Sequence, residues 1–308
     1  MDIASILTAI FAFFVPFIPT HVVSFDAGMT PPPLPHAQVL FVGDMMFDRT
    51  VRTTMDKKGG DYIFSCIDPL LSKQDLVVGN LEGPITDDPS VSDTTLPGDD
   101  YNMTFTFAPS TASLLFAHNI KLVNLGNNHI LNFNRSGALY TIAYLKEAGV
   151  DHFGDPIHAT VAGRTVKGVR FAFINYNEFA PGGWRDAAST TLAQVAEAKA
   201  SGEVPVVYTH WGIEYATTSP QRIHDLAHRF VDAGAVIVIG SHPHVVEEHE
   251  VYKGATIYYS LGNFIFDQYW TDTVDHGLTL EVSFKGARVE SVKEIPVVLQ
   301  HDRRTCAL

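Results

Sequence analysis

His242 and His244, separated by Pro243, are the residues whose types and spacing most plainly suggest chemistry. Two imidazoles one residue apart in an extended loop can converge on one metal ion or on two adjacent ions, because neutral imidazole is the commonest metal ligand among side chains. Such a pair also occurs as ordinary hydrogen-bonded loop residues, and two ligands do not fill a shell that normally needs four or more partners. Other segments offer the missing groups: Asp44, Asn80 and Glu82, Asn128 with His129 beside it, and His210.

Each of these residues stands just beyond a short apolar run. Residues 39–42 lead into Gly43-Asp44, 76–78 into Gly79-Asn80-Leu81-Glu82, 120–125 into Gly126-Asn127-Asn128-His129, 204–209 into His210, and 236–239 into Gly240-Ser241-His242. Apolar, β-branched runs of this length suit strands buried on both faces, and a glycine lets the backbone turn where such a strand ends. Between them, helices are expected at 110–118, 136–148, 187–201 and 220–233, the last three closed by Gly149, Gly202 and Gly234. A further strand is expected at 104–107, and 87–100 reads as a surface loop overhanging the site. The late segments 251–259, 278–284 and 289–298 carry Lys253-Gly254 and Lys285-Gly286 turns, the grammar of antiparallel hairpins. The expected fold is mixed α/β, with sheets sandwiched between helices. In such sheets ligands gather beyond the carboxyl ends of the strands, where all the candidate residues stand.

Taken singly, each tip has an ordinary explanation. Asp44 could cap a helix or pair with Arg49, either or both of Asn80 and Glu82 could face the site, and an Asn-rich loop with a surface histidine would account for residues 127–129. That five strand ends should all carry such residues by coincidence is improbable. One Asp, one Glu, one Asn and three His with no thiolate suit manganese, zinc or iron rather than calcium, and are enough for two ions. Two adjacent ions can activate water and hold the oxygens of a displacement at phosphorus. His224 and His228, one turn apart on the last helix, have no second ligand-rich tip beside them and read as surface residues.

Residues 1–23 are mostly apolar and read as an export signal or membrane anchor, although Pro16 and Pro19 interrupt them and no basic residue precedes them. Residues 24–37 are a proline-rich spacer, 38–300 a single large domain, and 301–308 a tail. With 21 Lys and Arg against 34 Asp and Glu the formal charge is −13, which disfavours nucleic acid as a partner. Cys66 and Cys306 are the two cysteines, so a multi-disulfide framework and a cysteine-type zinc site are both excluded.

The segments G-D-M-M-F-D-R, G-N-L-E-G-P-I-T, G-N-N-H, H-W-G-I-E-Y, G-S-H-P-H and Y-Y-S-L-G-N-F-I-F-D occur in that order. They resemble the motifs of the CapA family, the poly-gamma-glutamate capsule synthesis proteins, within the calcineurin-like metallophosphatase superfamily. The resemblance implies a four-layer αββα sandwich of two mixed sheets flanked by helices, with one or two divalent ions. It assigns Asn128, His210 and His242 to one ion and Asp44 and His244 to the other, with Glu82 as the bridge. His129 and Asp44 would take the catalytic roles, His129 against the leaving group. Met46 stands where many superfamily members carry a second histidine, and Asn80 where they carry the bridging Asp, so one tight ion and one weak ion are expected. The implied activity is metal-dependent hydrolysis, of phosphoester type, at the cell surface. The alternatives are a non-catalytic, metal-containing accessory to anionic-polymer synthesis or export, and an amide hydrolase acting on poly-gamma-glutamate. Expected partners are the anionic polymer or a phosphoester, membrane-bound polymer synthesis proteins, and the membrane itself through the N-terminus. Arg49, Arg135 and Arg185 are candidates to receive the carboxylates of such a polymer.

Overall fold

Two β-sheets face each other in the computed structural model, which describes residues 33–308 apart from 97, 159 and 160. The expected anchor and the first part of the spacer lie outside the described residues. In the first sheet, β1 (His36–Met45), β2 (Leu76–Leu81), β3 (Ile120–Asn124) and β4 (Asp151–Phe153) run parallel. The second sheet contains β5 (Ala162–Val166), β6 (Val169–Asn177), β7 (Val204–His210), β8 (Ile237–Ser241), β9 (His249–Tyr252) and β10 (Ala255–Tyr258), in the order β5-β6-β7-β8-β10-β9. The first sheet is completed by β11 (Asn263–Ile265), β12 (His276–Lys285), β13 (Arg288–Leu299) and β14 (Thr305–Ala307), giving the order β14-β13-β12-β1-β2-β3-β4 with β11 alongside β1.

Both sheets are mixed, and three apolar layers separate four structural ones. Phe41, Val78, Leu122, Phe173, Val206 and Ile239 are among the residues filling the space between the sheets. On the outer face of the first sheet lie α1 (Arg49–Lys58), α2 (Asp61–Phe64), α3 (Asp68–Leu71), α4 (Ser110–Ala117) and α5 (Asn134–Ala148), packed through residues such as Val51, Ile63, Leu71, Leu115 and Leu145. Two helices cover the second sheet: α6 (Trp184–Ala200) and α7 (Gln221–Ala233), which bury Val195, Ile223, Leu226 and Phe230. Strands buried on both faces explain why the central runs are continuously apolar instead of alternating. The expected four-layer sandwich is therefore the observed one.

Several local expectations are corrected. Gly43 and Gly240 do not serve to turn the chain: a Cβ on Gly43 would lie 1.9 Å from the Gly262 carbonyl oxygen, and one on Gly240 1.8 Å from that of Tyr259. They are needed because neighbouring backbone approaches too closely for any side chain. Residues 104–107 contribute only one bridge, Phe107 with Ile85. The 87–100 loop is tied down at its base by Asp48, which accepts hydrogen bonds from Ser90 Oγ at 2.7 Å, Ser92 Oγ at 2.9 Å and the Thr106 amide at 2.8 Å. Strand β1 begins at His36, inside the expected spacer, and the expected C-terminal tail carries β14, whose Cys306 forms a disulfide with Cys66. No helix among the described residues is long and apolar enough to cross a membrane.

Candidate metal centre

The parallel strands deliver their carboxyl ends to one place. β1 ends in Asp44 and Met45, β2 in Asn80 and Leu81, β7 in His210, and β8 in Ser241, immediately before His242. Glu82, His210 and His242 form one group, and Asp44, Glu82 and His244 another, with the candidate ligand atoms of each group all within 4.8 Å of one another. All five residues are buried. Glu82 belongs to both groups, and Asn128 joins the first through an Oδ1 that lies 2.9 Å from His210 Nε2. Each of the six sequence-derived ligand candidates thus reaches the centre, and His129 stands beside it, with Nε2 3.9 Å from Glu82 Oε1.

Protonation of the imidazoles follows from their second contacts. Asn263 donates through Nδ2 to three carbonyl oxygens, those of His244, the Gln268 side chain and Val274, so its Oδ1 is the acceptor for His244 Nδ1–H at 3.0 Å. Ser241 spends its hydroxyl proton on the Thr209 carbonyl, so its oxygen accepts from His210 Nδ1–H at 3.0 Å. Asn132 Oδ1 already accepts from the Phe105 amide, so His129 Nδ1 donates to it as well, at 3.0 Å. In all three rings the proton sits on Nδ1, leaving Nε2 as a bare lone pair directed inward.

No donor among the described residues meets those lone pairs. Glu82 Oε1, His129 Nε2, His242 Nδ1 and His244 Nε2 are buried without a hydrogen-bond partner, and His244 Nε2 faces Glu82 Oε1 at 3.6 Å. Each such group costs about 1–3 kcal/mol when left unmet, and four converging buried acceptors are a set that a cation could satisfy together. The 2.9 Å between His210 Nε2 and Asn128 Oδ1 agrees with the spacing of ~3 Å for two ligands at right angles on bonds of ~2.1 Å. Burial, helped by the neighbouring imidazoles, pushes His242 down to about 3 and His210 well below the usual histidine range. His129 is held down at about 4, chiefly by burial. Burial and then the Asp44 charge push Glu82 well above the usual carboxylate range. At neutral pH His210 and His242 are therefore unprotonated, as metal binding would require.

The backbone is strained at the same place. His242 and His244 have φ of 100° and 61°, a region that side-chain-bearing residues seldom occupy. The surroundings enforce it: the His242 amide donates to Asp44 Oδ2 at 3.1 Å, and the Tyr215 amide to the Pro243 carbonyl at 2.8 Å. Strain held this way clusters at functional sites.

Some contributors were not evident from the sequence. Asn80 is not a ligand but a clamp, donating from Nδ2 to Asp44 Oδ1 at 2.8 Å while its Oδ1 accepts from Asn124 and Asn127. Phe179 packs 4.3 Å from the His242 ring, and Tyr215 lies 6.0 Å from that of His244, both rings partly exposed at the rim. Met46 does not turn toward the ligand groups: its sulfur accepts from the Asp48 amide at 3.0 Å and its side chain belongs to the outer core. Arg49 is buried, paired to Asp267 at 2.5 Å and stacked on Phe105 and Phe266. Arg135 is exposed and Arg185 lies over Trp184. His224 and His228 are not at this site; they tie α7 to β9 through Glu248 and Glu250.

A strand-end centre of buried imidazoles and carboxylates in a two-sheet α/β sandwich is a class of site that could hold metal ions. Residues 38–268 match the family described as bacterial capsule synthesis protein PGA_cap, and the chain belongs to that family. It is 33% identical over 255 residues to the capsule biosynthesis protein CapA of Bacillus anthracis, covering 77% of this chain and 61% of that one. To the PGA biosynthesis protein CapA of Bacillus subtilis it is 32% identical, covering 77% and 65%. A probable polyglutamine synthesis accessory protein of Mycobacterium tuberculosis is 27% identical, covering 63% and 56%. The chain spans less than two thirds of the length of these relatives. Among solved structures, TT1561 of Thermus thermophilus superimposes with a TM-score of 0.45 at 9% identity, covering 84% of this chain and 97% of that one.

Proposed function

We propose that the protein is a metal-dependent hydrolase of phosphoester type that serves the synthesis of poly-gamma-glutamate or a similar anionic polymer at the cell surface. The observation that carries this reading is the set of buried, unpartnered acceptors shared between two ligand groups through Glu82. Nitrogen and oxygen donors without a thiolate suit manganese, zinc or iron. Asn128, His210, His242 and Glu82 would hold one ion, and Asp44, His244 and Glu82 the other. The ions, when bound, supply Lewis acidity and lower the pKa of water. His129 handles the proton. Its neutral Nε2 has none to give at the outset, so it takes one up from solvent water at that nitrogen and passes it to the departing oxygen. The orientation of this ring is fixed by Asn132. Phe179 and Tyr215 narrow the approach to the centre and limit the water around it.

The names of the relatives support a role in polymer synthesis, and the expected anchor at residues 1–23 supports the cell surface. The test is turnover of a generic phosphoester with added manganese or zinc by wild type, His129→Ala and His242→Ala. Loss in both variants is expected, and equal rates in all three would sink the reading.

A second reading is a non-catalytic accessory whose ions only bind polymer carboxylates or staple the loops. Asn80 favours it, because an amide stands beside Asp44 and Glu82 where a further carboxylate would have strengthened the hold on two ions. Full metal occupancy with no hydrolysis of phosphoesters or of gamma-glutamyl amides supports that reading, and robust turnover of the amides would instead make the polymer itself the substrate.

A further inference from the structure

Lys58, Arg303 and Arg304 stand together on the surface of a chain whose formal charge is −13. We infer that they form a binding track for an extended chain of carboxylates, an acidic peptide or polyglutamate, running along α1 toward the rim of the metal centre. The choice of carboxylates over other anions rests on the polymer reading of the proposed function.

The fold gathers these cations from distant parts of the chain. The turn between β13 and β14 holds Arg303 in a left-handed conformation, φ 76°, from which its Nε donates to Thr50 Oγ1 at 2.8 Å, in the first turn of α1. Arg304, next in the chain, lies with its guanidinium carbon 5.6 Å from the centre of the Tyr62 ring, and Lys58, at the far end of α1, has its Nζ 4.0 Å from the same centre, so the two charges are no more than about 10 Å apart. The Cys66–Cys306 disulfide fixes this arrangement by joining the segment after Tyr62 to the strand after Arg304.

Their charge is not used up within the protein. Among the described residues Lys58 and Arg303 form no ion pair, Arg303 Nη2 and Arg304 Nη1 carry no hydrogen bond, and Asp302 is the carboxylate paired with Arg304. By contrast Arg164, Arg170, Arg222, Lys253 and Lys285 each face a carboxylate. Tyr62 and Tyr269 hold the cations in place without neutralising them, so little freedom is lost when an anion arrives. From Thr50 to Lys58 the helix rises ~12 Å, and side chains on one side of an extended peptide repeat every ~7 Å. Two or three carboxylates of one chain match the row, whereas a free amino acid does not span it. Nucleic acid is disfavoured by the negative charge of the rest of the chain. The near end of the row adjoins the metal centre: Thr50 Oγ1 also donates to Asp267, Asp267 pairs with Arg49, and Arg49 lies over Phe105 and Phe266, the rings packed against His129 and His244.

The experiment is calorimetric titration of the full chain, in chelator, with poly-gamma-glutamate, with free glutamate and with single-stranded DNA. The polymer should bind saturably and more weakly as salt rises, and free glutamate and DNA should each bind at least about 10-fold more weakly. Lys58→Gln, Arg303→Gln and Arg304→Gln together should weaken the polymer about 10-fold or more, at roughly 2- to 5-fold for each exposed cation, and leave the urea midpoint nearly unchanged. Lys146→Gln, Lys199→Gln and Lys293→Gln together, at exposed positions away from the row, remove the same charge and should have little effect. Because the ions are removed, binding here is independent of whether the loaded centre hydrolyses phosphoesters, and either idea can fail without the other. No saturable binding at low salt, an equal loss in the two triple variants, or DNA held as tightly as the polymer would each overturn the assignment.

Discussion

Glu82→Gln should change stability in opposite directions depending on whether metal is present. In the chelated protein, Glu82 is a buried carboxyl beside Asp44, with Oε1 unpartnered and Oε2 only 3.4 Å from its donor, Asn80 Nδ2. A neutral amide of the same shape removes like-charge repulsion and a desolvated acid, and its NH₂ can be turned toward the lone pairs of His129 and His244. The chelated variant should therefore equal or exceed wild type by up to about 1–3 kcal/mol. With metal, the effect reverses. Glu82 is the one residue common to both ligand groups, so its loss weakens both ions at once. At free metal 1,000-fold above the dissociation constant, binding adds about 4 kcal/mol to the wild type, or roughly 10 °C in Tm for a domain of this size, and the variant should forgo most of that. The assay is urea and thermal unfolding of both proteins with chelator and with manganese or zinc, together with elemental analysis. A variant that keeps two ions, or that is several kcal/mol less stable than wild type in chelator, would refute the argument.

After dialysis, His242→Ala should retain no ion and His244→Ala about one per chain, while Met46→His should gain none because that side chain faces the Asp48 amide and the outer core; elemental analysis decides all three. Acid should destabilise the chelated protein. His129 and His242 titrate near 4 and 3 when folded but near 6.5 when unfolded, so below pH 6.5 the unfolded chain takes up protons that the folded one refuses. From pH 7 to 5.5 this amounts to about 2–3 kcal/mol for the pair, with His210 adding in the same direction and Glu82 opposing, measurable by urea unfolding at the two pH values. Replacing Cys306 by Ser should lower stability by about 2–5 kcal/mol, because the Cys66–Cys306 bridge closes a loop of 240 residues; the same loss on mild reduction of wild type, followed by urea unfolding, checks the cause.

The residues of the metal centre were legible because they obey a local rule: an apolar run, a small residue, then a ligand. Parallel strands carry their tips to a common edge, so a pattern visible five times along the chain becomes one place in space. What supports the ligands was not legible. Asn80, Asn124, Asn127 and Asn263 look like loop residues in sequence, and their roles depend on which strand lies next to them. Asp48 caps α1, and the two serines and the Thr106 amide that it also holds come from 42 to 58 residues away. The Cys66–Cys306 pairing was hidden for the same reason, since β14 had to reach the sheet edge before the two sulfurs could meet. Gly43 and Gly240 were noticed for the wrong property, because close backbone approach leaves no trace in a single sequence whereas turn preference does.

Strand β1 also fixes a distance. The chain enters the domain at Leu34 and Pro35, beside the β12–β13 turn, where the Gly286 amide donates to the Pro35 carbonyl at 2.8 Å. Ten residues later the same strand ends beside Asp44. At ~3.3 Å per residue the point of entry and the ion-binding end are about 30 Å apart, at opposite poles of the sandwich. Whatever the preceding residues are fastened to is therefore joined to the pole opposite the candidate ligands. A copy tethered through those residues would hold the candidate ligands about 30 Å along β1 from the point where the chain enters the domain.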